Sequence, residues 1–147
     1  RHHEYDTLCY DAKRDRIVHT RSKGAVLSVF DFKTKKWTIE KPNGAAPTAA
    51  LGDCCYVDDL DAMMWVFGGS YRKPAPRMYF YKLDEKKWYT APYKGKMVGW
   101  YGNLNNSPCY DPKLKLCVRL THFDRSKFVV VLVMRLDPKT LDLTPFE

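Results

Sequence analysis

The sequence predicts an all-β protein made of three consecutive four-stranded antiparallel sheets, and two observations carry that expectation. Short apolar or aromatic runs alternate with turn residues along the chain, with no sustained helical period. The same pair of sequence elements then returns in the same order three times. Composition agrees: of 147 residues, 45% are hydrophobic and 14% aromatic, enough apolar side chain to bury a core and too much for a disordered chain.

The first element is Cys9-Tyr10-Asp11-Ala12-Lys13, which returns as Cys109-Tyr110-Asp111-Pro112-Lys113, with a weaker copy, Cys55-Tyr56-Val57-Asp58, between them. The second is Val29-Phe30-Asp31-Phe32-Lys33-Thr34-Lys35-Lys36-Trp37. It reappears as Phe80-Tyr81-Lys82-Leu83-Asp84-Glu85-Lys86-Lys87-Trp88 and, more loosely, as Arg135-Leu136-Asp137-Pro138-Lys139-Thr140-Leu141. A period of roughly 40 to 50 residues is the mark of a propeller or a solenoid.

Each unit divides into four strands. In the first, Thr7 to Tyr10, Arg16 to Thr20, Ala25 to Phe30 and Trp37 to Glu40 are separated by Asp-Ala-Lys-Arg-Asp, Arg-Ser-Lys-Gly and Asp-Phe-Lys-Thr-Lys-Lys. The second reads Asp53 to Val57, Ala62 to Phe67, Arg77 to Lys82 and Trp88 to Ala91. The third reads Pro108 to Tyr110, Leu116 to Thr121, Phe128 to Leu136 and Leu141 to Thr144. Pro42, Pro47, Pro74, Pro76, Pro92, Pro108, Pro112 and Pro138 fall in connections or at strand ends, where a missing N–H does little harm. The units therefore span about residues 5–42, 52–92 and 107–145 of one partial domain covering 1–147.

In these residues the chain resembles the Kelch repeat, the four-stranded blade of Kelch and galactose-oxidase-like β-propellers. The resemblance rests on Tyr10-Asp11 and Tyr110-Asp111, on Phe67-Gly68-Gly69, on Asp31-x-x-Thr34-x-x-Trp37 and on Trp88. Gly-Gly occurs in the second unit alone, Lys82 stands where Asp is expected, and Leu143 stands where Trp37 and Trp88 lead one to expect tryptophan. The resemblance implies three consecutive β-propeller blades. Trp37 and Trp88 are then expected to fill wedges between neighbouring sheets. Asp31 and Asp137 are expected to open tight turns by accepting backbone N–H bonds.

Function is less legible. No Gly-x-Ser-x-Gly elbow, phosphate-binding Gly-x-x-x-x-Gly-Lys loop, zincin spacing or Ser-x-Asp-x-Gly-x-x-Trp box occurs. Asp58, Asp59 and Asp61 read as solvated turn residues. Five cysteines, an odd number without CxxC spacing, read as small buried residues rather than a zinc site or a disulfide framework. No cofactor, metal or catalytic residue is expected. The longest apolar run, Phe128 to Met134, has the length of a strand, so membrane insertion is not expected either.

The formal charge of +8 favours an acidic partner. In a four-stranded meander, the connections from strand two to strand three and from one unit to the next share a side, and loops carried on rigid sheets commonly hold function. On that side the sequence places Arg21, Ser22, Lys23, Tyr71, Arg72, Lys73, His122, Phe123, Arg125 and Lys127. The long connection Pro92 to Pro108 adds Tyr93, Lys94, Lys96, Trp100, Tyr101, Asn103, Asn105 and Asn106. Aromatic rings beside cations and amides suit a protein hot spot or the face of a sugar. Tyr71, Arg72, Lys73, Lys96, Trp100, Tyr101, Asn103, His122 and Arg125 are the candidate partner-binding residues. The expected activity is noncatalytic recognition of an acidic protein segment. The alternative is an anionic-glycan binder, or part of a galactose-oxidase-like enzyme whose metal ligands lie elsewhere. Nucleic acid is the weakest option, because net charge alone supports it. Three blades fall short of a closed ring of about six or seven. The expectation is a fragment of a longer chain whose other blades complete the ring, or two copies that close it together.

Overall fold

The computed structural model describes residues 8–21, 24–47, 52–67, 77–94, 108–122 and 129–146. Sheet one is the antiparallel meander β1 (Leu8–Asp11), β2 (Arg16–Arg21), β3 (Val26–Asp31) and β4 (Lys36–Glu40). A two-residue strand β5 (Asn43–Gly44) follows. Sheet two is the meander β6 (Gly52–Val57), β7 (Ala62–Phe67), β8 (Arg77–Lys82) and β9 (Lys87–Ala91), with β5 added in parallel on the outer edge of β9. Sheet three comprises β10 (Cys109–Asp111), β11 (Leu116–His122), β12 (Val129–Leu136) and β13 (Leu143–Pro145). The protein is thus all-β, with antiparallel sheets of the expected number and order.

The hairpins explain why these strands begin and end where they do. Thr34 N–H donates to Asp31 Oδ1 at 2.6 Å and Lys35 N–H to the Asp31 carbonyl at 2.8 Å. Asp137 repeats the device with Lys139 N–H at 2.8 Å and Leu141 N–H at 2.8 Å. Both aspartates open turns as expected, and these N–H bonds hold their carboxyls below the usual range. Asp111 likewise accepts from Lys113 and Leu114, each at 2.9 Å. Each turn closes on a left-handed residue: Asp15, Asp61 and Lys115 before the second strands, and Lys35, Lys86 and Leu141 before or near the fourth. At φ +64 Leu141 belongs to a turn, so the last strand starts at Leu143 and not at Leu141 as the apolar pattern suggests. Asp58–Leu60 forms a single 3-10 turn in the second unit.

Strand alternation gives every sheet two faces, and register shows which side chains share one. Cys9, Val18 and Val29 line up across one face of sheet one, and Tyr10, Ile17, Phe30 and Trp37 across the other. In sheet two the matching rows are Cys55, Met64 and Phe80 on one face, and Tyr56, Met63, Tyr81 and Trp88 on the other. The adjacent cysteines thus take opposite faces. Cys55 belongs with the core shared with sheet three, and Cys54 with the core shared with sheet one.

Two cores result. Cys9, Val18, Leu27 and Val29 of sheet one pack with Met63, Trp65, Tyr79, Tyr81, Leu83 and Trp88 of sheet two. On its opposite face, sheet two buries Val57, Met64, Val66, Met78 and Phe80 with Cys117, Met134, Leu136 and Leu143 of sheet three. Burying a side chain of this size contributes about 1.5–3 kcal/mol. Sheet two is therefore held on both faces, and its first strand β6 lies beside both β1 and β10.

Trp88 fills its wedge as expected, at 1% exposure, and its Nε1–H donates to the Gly24 carbonyl at 2.8 Å. Gly24 sits at φ +60, and a β-carbon there would lie 2.6 Å from Pro47 Cδ and 3.2 Å from Trp88 Cζ2. Trp37, expected to act in the same way, is 57% exposed. Its strand position is equivalent, but among the described residues no sheet packs against its face, and the ring lies beside Phe30 of its own sheet.

Candidate functional site

Most of the residues singled out for partner binding lie outside the described residues. Tyr71, Arg72 and Lys73 belong to 68–76, Lys96, Trp100, Tyr101 and Asn103 to 95–107, and Arg125 to 123–128. His122 ends β11, with its backbone paired to Val129. Two residues that open the long connection are described, and both serve the fold. Tyr93 bridges Leu143 in parallel, and Lys94 N–H donates to the Leu143 carbonyl at 2.8 Å while its Nζ pairs with Asp142.

The described polar chemistry gathers at the junctions between sheets, on the side where first and second strands meet. Asp61, in the turn before β7, is its centre. Arg14 reaches across from sheet one, with Nη1 at 2.8 Å from Oδ1 and Nη2 at 2.5 Å from Oδ2 of Asp61. Its Nη1 also lies 3.1 Å from Asp11 Oδ2, and its Nη2 pairs with Asp84. Lys13 Nζ lies 2.8 Å from Asp61 Oδ2, and Tyr56 donates to Asp61 Oδ1 at 2.8 Å. The Arg14 guanidinium, followed by Lys13 and the Tyr56 hydroxyl, holds the Asp61 carboxyl far below the usual carboxylate range. Asp61 is therefore not the solvated turn acid that the sequence suggests. As a fixed anion between two cations it joins sheets, and it has no proton to give at neutral pH.

Smaller versions occur nearby. Arg16 Nε lies 2.7 Å from the fully buried Asp11, and Glu40 of β4 receives the Tyr81 hydroxyl of sheet two at 2.9 Å. Between sheets two and three, Lys115 and the Tyr110 hydroxyl both meet Asp59, holding its carboxyl below the usual range. Arg119 of β11 is only 1% exposed, and burial lowers its pKa to about 10, partly offset by the buried Asp53 of β6.

The thiols give a second test. All five cysteines are free, with Cys9 and Cys117 buried and Cys109 exposed. Burial, joined by the Asp11 charge, pushes Cys9 up to about 12. Burial followed by proximity to Cys109 pushes Cys117 up to about 12. Burial also raises Cys55 strongly, aided by Cys117, Cys9 and Cys109. Groups held protonated in this way are poor nucleophiles. Among the described residues no group of three or more His, Cys, Asp or Glu side chains could hold a metal ion, and no helix is long and apolar enough to cross a membrane.

Local sequence gives little sign of the Asp61 cluster, because Arg14 and Asp61 stand in different units. One signal was available in the repeat itself. The spacing Tyr10 to Asp15 is the spacing Tyr56 to Asp61, and each tyrosine donates to the aspartate of its own unit at 2.8 Å. Comparison with known proteins finds no family model that matches this chain and no curated protein that matches it.

Proposed function

We propose that this chain supplies three blades of a Kelch-type β-propeller and acts as a noncatalytic recognition module, binding an acidic protein segment through the loops opposite the Asp61 cluster. The observation that carries this reading is the alignment of the three meanders. Arg14 to Asp61 and Lys115 to Asp59 tie the turns between first and second strands side by side. The connections β2 to β3, β7 to β8 and β11 to β12 leave from the opposite ends of those strands. The sequence of that second set includes Arg21, Lys23, Tyr71, Arg72, Lys73, Arg125 and Lys127.

The chemistry at the junctions favours a binding role over catalysis. Asp61 and Asp59 are ionised and engaged, and the buried thiols are protonated, so these groups stabilise the scaffold. Aromatic anchors such as Trp100 and Tyr101 would supply apolar contact, while the cations of the loop set steer an anionic partner. The test is fluorescence anisotropy of a labelled Asp/Glu-rich peptide titrated with the protein at about 50 and 200 mM salt. Electrostatic steering predicts weaker association at the higher salt. Trp100→Ala should abolish binding while the circular dichroism spectrum and melting temperature stay unchanged. Salt-independent binding, or loss of folding in Trp100→Ala, would refute this use of the loop.

A further inference from the structure

We infer that the two outer sheet faces of this chain are halves of one interface, and that a second copy fills it head to tail, closing a ring of six sheets. The inference rests on the reading of the three sheets as propeller blades and on the described sheet faces, and it is independent of the loop ligand proposed above.

The two faces repeat a match already present inside the chain. In the junction between sheets one and two, the row Cys9, Val18 and Val29 meets the row Tyr56, Met63, Tyr81 and Trp88. On the outer face of sheet three the equivalent row is Cys109, Val118 and Val133, followed by Leu120 and Val131. The outer face of sheet one carries Tyr10, Ile17, Phe30 and Trp37. The same cysteine and valines thus stand on one side and the same tyrosine and tryptophan on the other. Cys109, Leu120 and Val131 are exposed, as are Tyr10 and Trp37. An exposed aliphatic face and an exposed aromatic face on one monomer exceed what isolated surface residues explain.

Charge follows the same correspondence. Lys13 pairs with Asp61 across the inner junction. Their equivalents are Lys113, on the exposed turn of sheet three, and Asp15, on the exposed turn of sheet one. Tyr10 orients Asp15 just as Tyr56 orients Asp61. The parts of the inner network that do not recur disappear in pairs. Leu114 stands in place of Arg14, and Lys33 in place of its partner Asp84. An arginine at 114 would face Lys33 of the second copy, whereas leucine avoids that repulsion. Because the pairing is heterologous, each chain offers one face of each kind, and two chains with three sheets each can satisfy both.

Light scattering coupled to size exclusion, over a concentration series of the 147-residue chain, reads the outcome directly. The expected mass at high concentration is twice 17.2 kDa. Trp37→Glu and Val131→Glu, on opposite outer faces, should each abolish the dimer, with circular dichroism checking that both fold. Lys113→Glu should weaken dimerisation about 2- to 5-fold, the range of an exposed ion pair, and adding Asp15→Lys in the same chain should restore it. Alkylation of Cys109 should slow as the dimer forms. A 17.2 kDa monomer at every concentration would overturn the inference. So would open-ended growth in place of a dimer, or a dimer lost in Trp37→Glu but kept in Val131→Glu, which indicates pairing of like faces. Trp100→Ala should leave the mass unchanged, which separates this interface from the loop site.

Discussion

Replacing Trp88 by alanine removes an indole that is 1% exposed, together with its ring contacts to Tyr79 at 6.4 Å and Tyr81 at 5.1 Å and its hydrogen bond to the Gly24 carbonyl. Large aromatic-to-alanine changes in a core cost about 3–5 kcal/mol. For a chain of this size each kcal/mol lowers the melting temperature by roughly 2–4 °C, so the loss should be roughly 6–20 °C. Trp88→Phe keeps most of the packing but leaves the Gly24 carbonyl without its donor, at a cost of about 1–3 kcal/mol. Trp37→Ala is the control that gives the comparison its force. The same residue type stands at the equivalent repeat position with 57% exposure, and its loss should fall within about 0.5 kcal/mol. Thermal and urea unfolding followed by circular dichroism would measure all three variants, at a concentration where the chain is monomeric. Equal losses for Trp88→Ala and Trp37→Ala would refute the view that the covering sheet, and not the repeat position, decides what a tryptophan contributes.

Three further predictions test other parts of the fold. Gly52→Ala would place a β-carbon 2.2 Å from Trp65 Cε2 and Cζ2, so it should cost about 1–3 kcal/mol by overpacking and alter the near-ultraviolet spectrum of Trp65. The Asp61 carboxyl is depressed in the folded state, so its stabilising effect is present above the unfolded aspartate value of about 3.9 and is lost as pH falls through the lower folded value. Asp61→Asn should therefore lower stability at neutral pH and flatten the acid limb of a stability-pH curve, and an unchanged acid limb would sink this account. In the monomer, iodoacetamide at mildly alkaline pH should label the exposed Cys109 well before the buried Cys9 and Cys117, as read by mass spectrometry of the alkylated peptides. Comparable rates for the three would show that the buried thiols are accessible.

Much of the strand pattern was legible because alternation and turn chemistry act locally. The boundaries Ala62–Phe67 and Arg77–Lys82 follow the sequence to the residue, and others shift by one where Asp11, Asp31 or Asp111 still pairs across the ladder before opening its turn. What was not legible depends on which element lies opposite. Trp37 and Trp88 look alike in the repeat, and only the packing of sheet one against sheet two separates them. Asp58, Asp59 and Asp61 look like one acidic turn, yet Asp61 and Asp59 face cations from different neighbours. The parallel strand β5 rests on two residues after Pro42, too few for any periodic signal. Of the candidate binding loops, Tyr93 and Lys94 turned out to serve sheet three, because backbone pairing to Leu143 claims them before the connection proper begins.

The position of β5 bears on how the protein avoids unwanted polymerisation. An outer strand presents an open row of backbone donors and acceptors that a foreign strand can copy. Here sheets one and two each hand their outgoing chain to the next sheet as a short cap. Asn43 and Gly44 lie along β9, with Asn43 N–H donating to the Lys86 carbonyl at 2.9 Å, and Tyr93 and Lys94 do the same for β13. Among the described residues β4 has no such cap, and its exposed Trp37 and Ile39 give it the side chains of an adhesive strand. Lys36, exposed at the start of β4, acts as its charged gatekeeper, while Glu40 at the other end is taken up by Tyr81 and Lys86 of sheet two. Neutralising Lys36 would leave β4 as the point from which amyloid-like stacking starts, even while the native fold stayed intact.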